Sequence, residues 1–115
     1  DAGAAAAQVG TALLLCDEAG TSEVHRRALR DAAFADTVVT RAFSGRYARS
    51  LANAFTERYS ATAPPGYPQL NQMTGPIRSA AVKAGDPQAV ALWAGTAWRG
   101  IGSGRAADIV AALAP

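Results

Sequence analysis

Along this chain the spacing of hydrophobic positions changes from segment to segment, and each spacing implies an element. Val24, Ala28 and Ala32 recur every fourth residue, which predicts an amphipathic helix over 22–35. Thr21 or Ser22 stands where it can cap that helix, and Glu23 places a negative charge in its first turn, against the positive end of the dipole. Thr37-Val38-Val39-Thr40 is short and β-branched throughout, the pattern of a strand. Arg41 to Arg46 reads as a connector pivoting on Gly45. Ala48, Leu51, Ala52, Phe55 and Tyr59 then fall on one helical stripe and predict a second helix. Ala63-Pro64-Pro65-Gly66 is the strongest loop signal in the chain.

Two further helices are expected from the same device, a capping residue followed by proline at the first helical position. Thr74 or Gly75 with Pro76 predicts a helix that stops at Gly85. Asp86-Pro87 predicts another, carrying Val90, Leu92 and Trp93. Gly95, Gly100, Gly102 and Gly104 mark a flexible passage, and Ala106 to Leu113 reads as a last amphipathic helix.

The opening stretch, AAAAQVGTALLLC from Ala4 to Cys16, is the least ordinary. Ala4 to Val9 is small and apolar and reads as a strand buried on both faces, as parallel strands are. A Gly10-Thr11 turn then feeds Ala12 to Cys16, the first turns of a helix, which Asp17 to Gly20 breaks. With 4–9 and 37–40 as the only strands expected, the pattern is that of part of a larger α/β structure.

Composition narrows this picture. A chain of 115 residues has room for one modest domain. Half of it is hydrophobic and 17% charged, which excludes disorder. The net charge of +2 is small and the basic residues form no block, so no nucleic-acid partner is expected. No apolar run reaches the roughly 18 residues of a membrane span, and no membrane association is expected. Asp1 rather than Met comes first, and the chain reads as cut from a longer one. Cys16, the only cysteine, cannot form an internal disulfide; this fits a cytoplasmic location, and its place after three leucines suits a small buried hydrophobe. One His and one Cys make neither a metal cluster nor a nucleophilic pair. His25 lies beside Arg26 and Arg27, off the apolar stripe, and is expected at the surface. Trp93 and Trp98 are expected to pack inside, and Arg41 and Arg46 to make ordinary salt bridges.

Two stretches could carry chemistry. In Gln8-Val9-Gly10-Thr11, glycine lets backbone approach a ligand, the following helix start offers unpaired N–H groups, and Thr11 adds a hydroxyl. That is a phosphate cradle of the kind found at the C-terminal face of α/β barrels; a tight turn with Thr11 as cap explains the same residues. In YPQLNQMTGPIR, Tyr67 to Arg78, several polar side chains gather in a loop leading into a helix, which suits either a pocket wall or a plain capped helix start.

Four motifs in order, AAQVGTALLLCDEAGTSEVHRRAL, TVVTRAFSGRYARSLANAF, YPQLNQMTGPIRSAA and ALWAGTAW, resemble the C-terminal part of the nitronate monooxygenases, formerly called 2-nitropropane dioxygenases. The resemblance runs from about Asp1 to Leu113. It implies an α/β fold: the C-terminal portion of an FMN-binding (β/α)8 TIM barrel with a smaller, mostly helical inserted domain. On that mapping 1–16 are the last strand and turn of the barrel, 17–97 the inserted domain, and 98–115 a final helix packing back on the barrel.

The family match makes Gln8, Gly10 and Thr11 the FMN phosphate turn, and makes Tyr67, Asn71 and Thr74 part of the wall facing flavin and substrate. The implied reaction is oxidation of an alkyl nitronate, such as propionate 3-nitronate, by FMN and O2 to a carbonyl compound and nitrite. The partners implied are thus a small-molecule nitronate and O2, with oligomerisation left open. The family's catalytic histidine belongs to an earlier barrel strand, as does its glycine-rich phosphate turn; no catalytic residue and no metal ligand falls in this chain. His25 does not correspond to that histidine. Thr96 stands where the family usually has glutamine after Trp-Ala-Gly. By itself the chain is expected to be inactive and poorly stable. Two rival readings remain: a flavin-dependent enoyl-thioester (enoyl-ACP) reductase of the same fold, and a non-enzymatic helical module that meets its partner through Phe43, Phe55 and Trp93.

Overall fold

The computed structural model describes residues 3–113, and these form a mixed α/β arrangement. Four helices and one hairpin carry it: α1 (Glu23–Arg30), β1 (Thr37–Thr40), β2 (Ala48–Leu51), α2 (Ala54–Tyr59), α3 (Gln69–Ala84) and α4 (Ala106–Leu113). Short 310 turns lie at Thr11–Leu13, Pro87–Ala89 and Trp98–Gly100.

β1 and β2 pair antiparallel with Thr37 opposite Leu51 and Thr40 opposite Ala48. The outer edge of β2 is used as well. The Leu51 amide donates to the Leu92 carbonyl (2.9 Å) and the Ala94 amide to the Arg49 carbonyl (3.1 Å), so residues 92–94 lie along β2 as a short third strand. Beneath this ladder Leu51 and Leu92 enter the core with Leu15, Val24, Leu29 and Trp98. A second, aromatic cluster sits at the hairpin's turn: Phe43 stacks on Phe55 with centroids 4.6 Å apart and meets the edge of Trp93 at 5.6 Å.

Several expectations from hydrophobic spacing are corrected here. Residues 4–9 form no strand, since a strand needs a neighbouring strand to take up its backbone groups and they pair with none among the described residues. In place of a helix over 12–16 there is one 310 turn, Thr11–Leu13, after which Cys16 bridges to Gly104. α1 ends at Arg30 instead of Ala35, where the Asp31 side chain accepts from the Ala33 amide two residues on, at 2.9 Å, a local turn that competes with the helix. The stripe from Ala48 to Tyr59 splits into β2 and α2. Asn53 accounts for the split: its side chain accepts from the Thr56 amide while its own amide donates to Thr56 Oγ1, a reciprocal cap that fixes the helix start at Ala54.

α3 begins seven residues before Pro76, which lies inside it. A mid-helix proline removes the hydrogen bond to the carbonyl four residues earlier. That residue is Gln72, and both Gln72 and Pro76 are exposed, so water can serve the freed carbonyl. After Asp86-Pro87 there is one 310 turn and no α-helix, because pairing with β2 holds residues 92–94 extended. The expected strand at 37–40, the stop at Gly85 (φ +70°) and the last helix over 106–113 are observed. So are burial of Cys16 and of Trp98; Trp93 is partly buried against Phe43.

Candidate functional site

Residues from the two ends of the chain build one groove. The Thr11–Leu13 turn is held by the amide of Leu13 donating to the Gly10 carbonyl at 3.0 Å. As at any helix start, the first amides of the turn, those of Thr11 and Ala12, have no acceptor within it. Opposite stand residues 95–97 and 100–103 and the face of α4 that carries Asp108, Ile109, Ala112 and Leu113. Between them is a groove of about 890 Å³, within the size range of small-molecule and cofactor sites.

Three links fasten its walls. Cys16 bridges to Gly104, and the Asp17 amide donates to the Gly104 carbonyl at 2.8 Å. The Glu18 carboxylate accepts from the Ala106 amide at 2.9 Å and so caps α4 from across the sequence. That amide is the main cause holding the Glu18 carboxyl below its ordinary value of 4.5. Arg26 of α1 ties down the strand of chain between, donating to the carbonyls of Cys16 (2.9 Å), Ala19 (2.8 Å) and Thr21 (3.1 Å).

Gln8, Gly10 and Thr11 all line this groove. A Cβ placed on Gly10 would meet nothing within 4 Å, so that backbone faces open space. Thr11 Oγ1 accepts the Gly95 N–H at 2.9 Å, a bond across 84 residues that joins the Gly-Thr turn to the Trp-Ala-Gly-Thr motif. Among the described residues no Lys or Arg lines the groove, and Asp108 is its one charged side chain. A ligand's anionic group would therefore be held by neutral donors: amides, the Thr11 hydroxyl and the Gln8 amide.

Tyr67, Asn71 and Thr74 lie elsewhere and do not line the groove. Thr74 is buried, and its hydroxyl donates to the Phe43 carbonyl, fastening α3 to the loop after β1. Asn71 receives one Arg78 Nη2 twice, on its backbone oxygen (2.8 Å) and on Oδ1 (2.9 Å). Tyr67 is exposed, with the Arg46 guanidinium 4.0 Å from its ring centroid, and Arg41 donates to the Ala63 carbonyl at 2.6 Å. Gly45, at φ +84°, seats this loop: a Cβ there would lie 2.6 Å from backbone atoms of Gly66 and Tyr67.

His25 is buried, against expectation, because the inward face of α1 comprises Val24, His25, Ala28 and Leu29. Its Nε2 has no hydrogen-bond partner. Burial depresses the imidazole below its ordinary value of 6.5, and a hydrogen bond to the Trp93 backbone pulls it partly back. A histidine enclosed in this way is placed for packing and lies outside the groove. The contributions of Glu18, Gly95 and Arg26 went unseen in the sequence. Each acts through a backbone group far along the chain or through a turn, and no local pattern marks such a bond.

The fold and groove thus define an α/β chain with a cofactor-sized site whose polar groups suit an anion. Comparison with known proteins makes this specific. The model of the nitronate monooxygenase family matches residues 1–115. A probable nitronate monooxygenase from Staphylococcus aureus (strain Newman) is 40% identical over 95 residues, covering 81% of this chain and 27% of that protein. One from strain JH9 is 41% identical over the same length. Among solved structures, a nitroalkane oxidase from Streptomyces ansochromogenes superposes with a TM-score of 0.90 at 49% identity, over 94% of this chain and 31% of that one. The chain belongs to the nitronate monooxygenase family, and it spans less than a third of the length of these relatives.

Proposed function

We propose that this chain supplies the phosphate-binding corner of a flavin-dependent nitronate monooxygenase, an oxidoreductase that converts alkyl nitronates and O2 into carbonyl compounds and nitrite. The observation that carries the proposal is the groove joining Gln8, Gly10 and Thr11 to Gly95. Its neutral donors fit a phosphate tail, and family membership favours FMN as the group that bears it. The chemistry supplied by bound FMN is removal of electrons from the nitronate and their passage to O2. The chain's own residues bind and orient. The Thr11 hydroxyl and the amides of Thr11 and Ala12 donate to the phosphate, Gln8 adds a side-chain donor, and Ile109 and Leu113 give the groove an apolar wall.

In this reading residues 1–16 and 98–115 belong to a (β/α)8 barrel and 17–97 to a smaller inserted domain, with the catalytic base elsewhere in the complete protein. The chain by itself is then inactive and aggregation-prone. Tyr67, Asn71 and Thr74 belong to the cavity side of the inserted domain, Thr74 by holding its loop in place.

The complete protein should show the absorption bands of bound flavin and release nitrite from propionate 3-nitronate in the presence of O2. A protein that is colourless and cannot be loaded with FMN overturns the proposal. Turnover of NADH with an enoyl thioester, and none of the nitronate, would assign the reductase activity instead.

A further inference from the structure

We infer that Gly95 is a positioning residue for flavin phosphate binding and acts through the Thr11 hydroxyl; this rests on the proposed flavin site. A hydroxyl has one proton to give and two lone pairs to receive with. The Gly95 N–H occupies one of those lone pairs at 2.9 Å. The hydroxyl proton must point away from that N–H, and the groove is where Thr11 and Gly95 are both exposed to a ligand. Thr11 is thereby set as a donor, and a donor selects an acceptor such as a phosphate oxygen.

What fixes the Gly95 amide is the small sheet. The Leu92 carbonyl and the Ala94 amide are both committed to β2, through Leu51 and Arg49, so the residue that follows leaves the ladder in a set direction. The Trp93 backbone bridges to Ser50 in the same register. A Cβ on Gly95 would lie 3.4 Å from Thr11 Oγ1, a close approach that glycine leaves unencumbered. The hairpin, which contributes no lining residue itself, thus sets the orientation of a cofactor donor.

The test compares FMN with riboflavin, which lacks the phosphate, by fluorescence titration of the complete apoprotein. T11V should weaken FMN about tenfold or more, the size expected for a hydrogen bond to a charged acceptor. It should leave riboflavin within about twofold on the same scale. T11S, which keeps the hydroxyl, should restore most of the FMN affinity. G95P removes the N–H and should weaken FMN in the wild-type background but add nothing to T11V. Independently of how G95P folds, the amide of Gly95 should exchange with solvent faster in T11V than in T11S. Equal losses for FMN and riboflavin in T11V, additive effects of G95P and T11V, or unchanged Gly95 exchange would each overturn the inference while leaving the flavin site standing. A wild-type protein that binds neither flavin overturns the site itself.

Discussion

Gly45 offers a demanding check on the packing described above. Its backbone is left-handed (φ +84°), and a Cβ added there would sit 2.6 Å from Gly66 C and Tyr67 N and 2.8 Å from Gly66 N. Those neighbours are backbone, so relief requires the two loops to separate. In G45A the left-handed conformation costs about 1–2 kcal/mol for a residue with a Cβ. Displacing packed backbone adds about 1–3 kcal/mol. The total expected is about 2–5 kcal/mol from these two effects. Gly85 provides the control. It is also left-handed (φ +70°), but its Cβ would meet only Arg27 Nη2, at 3.3 Å, the end of a flexible side chain. G85A should therefore cost the conformational part alone, about 1–2 kcal/mol. Urea unfolding of the complete protein, monitored by Trp fluorescence, gives both values. Equal losses for G45A and G85A would refute the argument that the loops meet at Gly45.

Three further outcomes follow from single contacts. T74V leaves the Phe43 carbonyl buried without its donor and should cost about 1–3 kcal/mol in the same unfolding measurement, whereas T74S should recover most of it. His25 has a depressed imidazole, so the unfolded chain takes up its proton first as pH falls; stability should be full above pH 6.5 and decline below it, and a melting series from pH 8 to 5 should lose that slope in H25F. Glu18 is a carboxylate held low by the Ala106 amide; its hold on α4 should persist above pH 4.5 and weaken on acidification, seen as lower amide protection, relative to intrinsic exchange, in residues 106–113.

The sequence made the groove's near wall legible because Gly10-Thr11 is a local signal, and the family motifs extended it. The far wall was not legible, since Gly95 meets Thr11 only after the chain has folded around 84 intervening residues. The same distinction explains the elements. Thr37–Thr40, Gly85 and Ala106–Leu113 follow local preference, and there pattern and structure agree. Ala48–Leu51 has helical spacing but becomes a strand because residues 92–94 and β1 pair on both its edges, a tertiary demand that overrides propensity. His25 is buried because the inward face of α1 is two residues wide, Val24-His25 with Ala28-Leu29, broader than the single stripe that the spacing of Val24, Ala28 and Ala32 marks. Asn53 did carry a readable signal, Asn followed three residues later by Thr, which marks the start of α2.

Thr74 has a consequence for anyone re-engineering the surface of α3. Its only proton is already committed to the Phe43 carbonyl, and its side chain is enclosed. Mutant libraries randomised at position 74 would mostly sample molecules that have lost this fastening and part of their stability. Diversity is better invested in the solvent-facing residues around it, Tyr67, Met73 and Ile77, where new shapes and charges can be tried without unfastening α3.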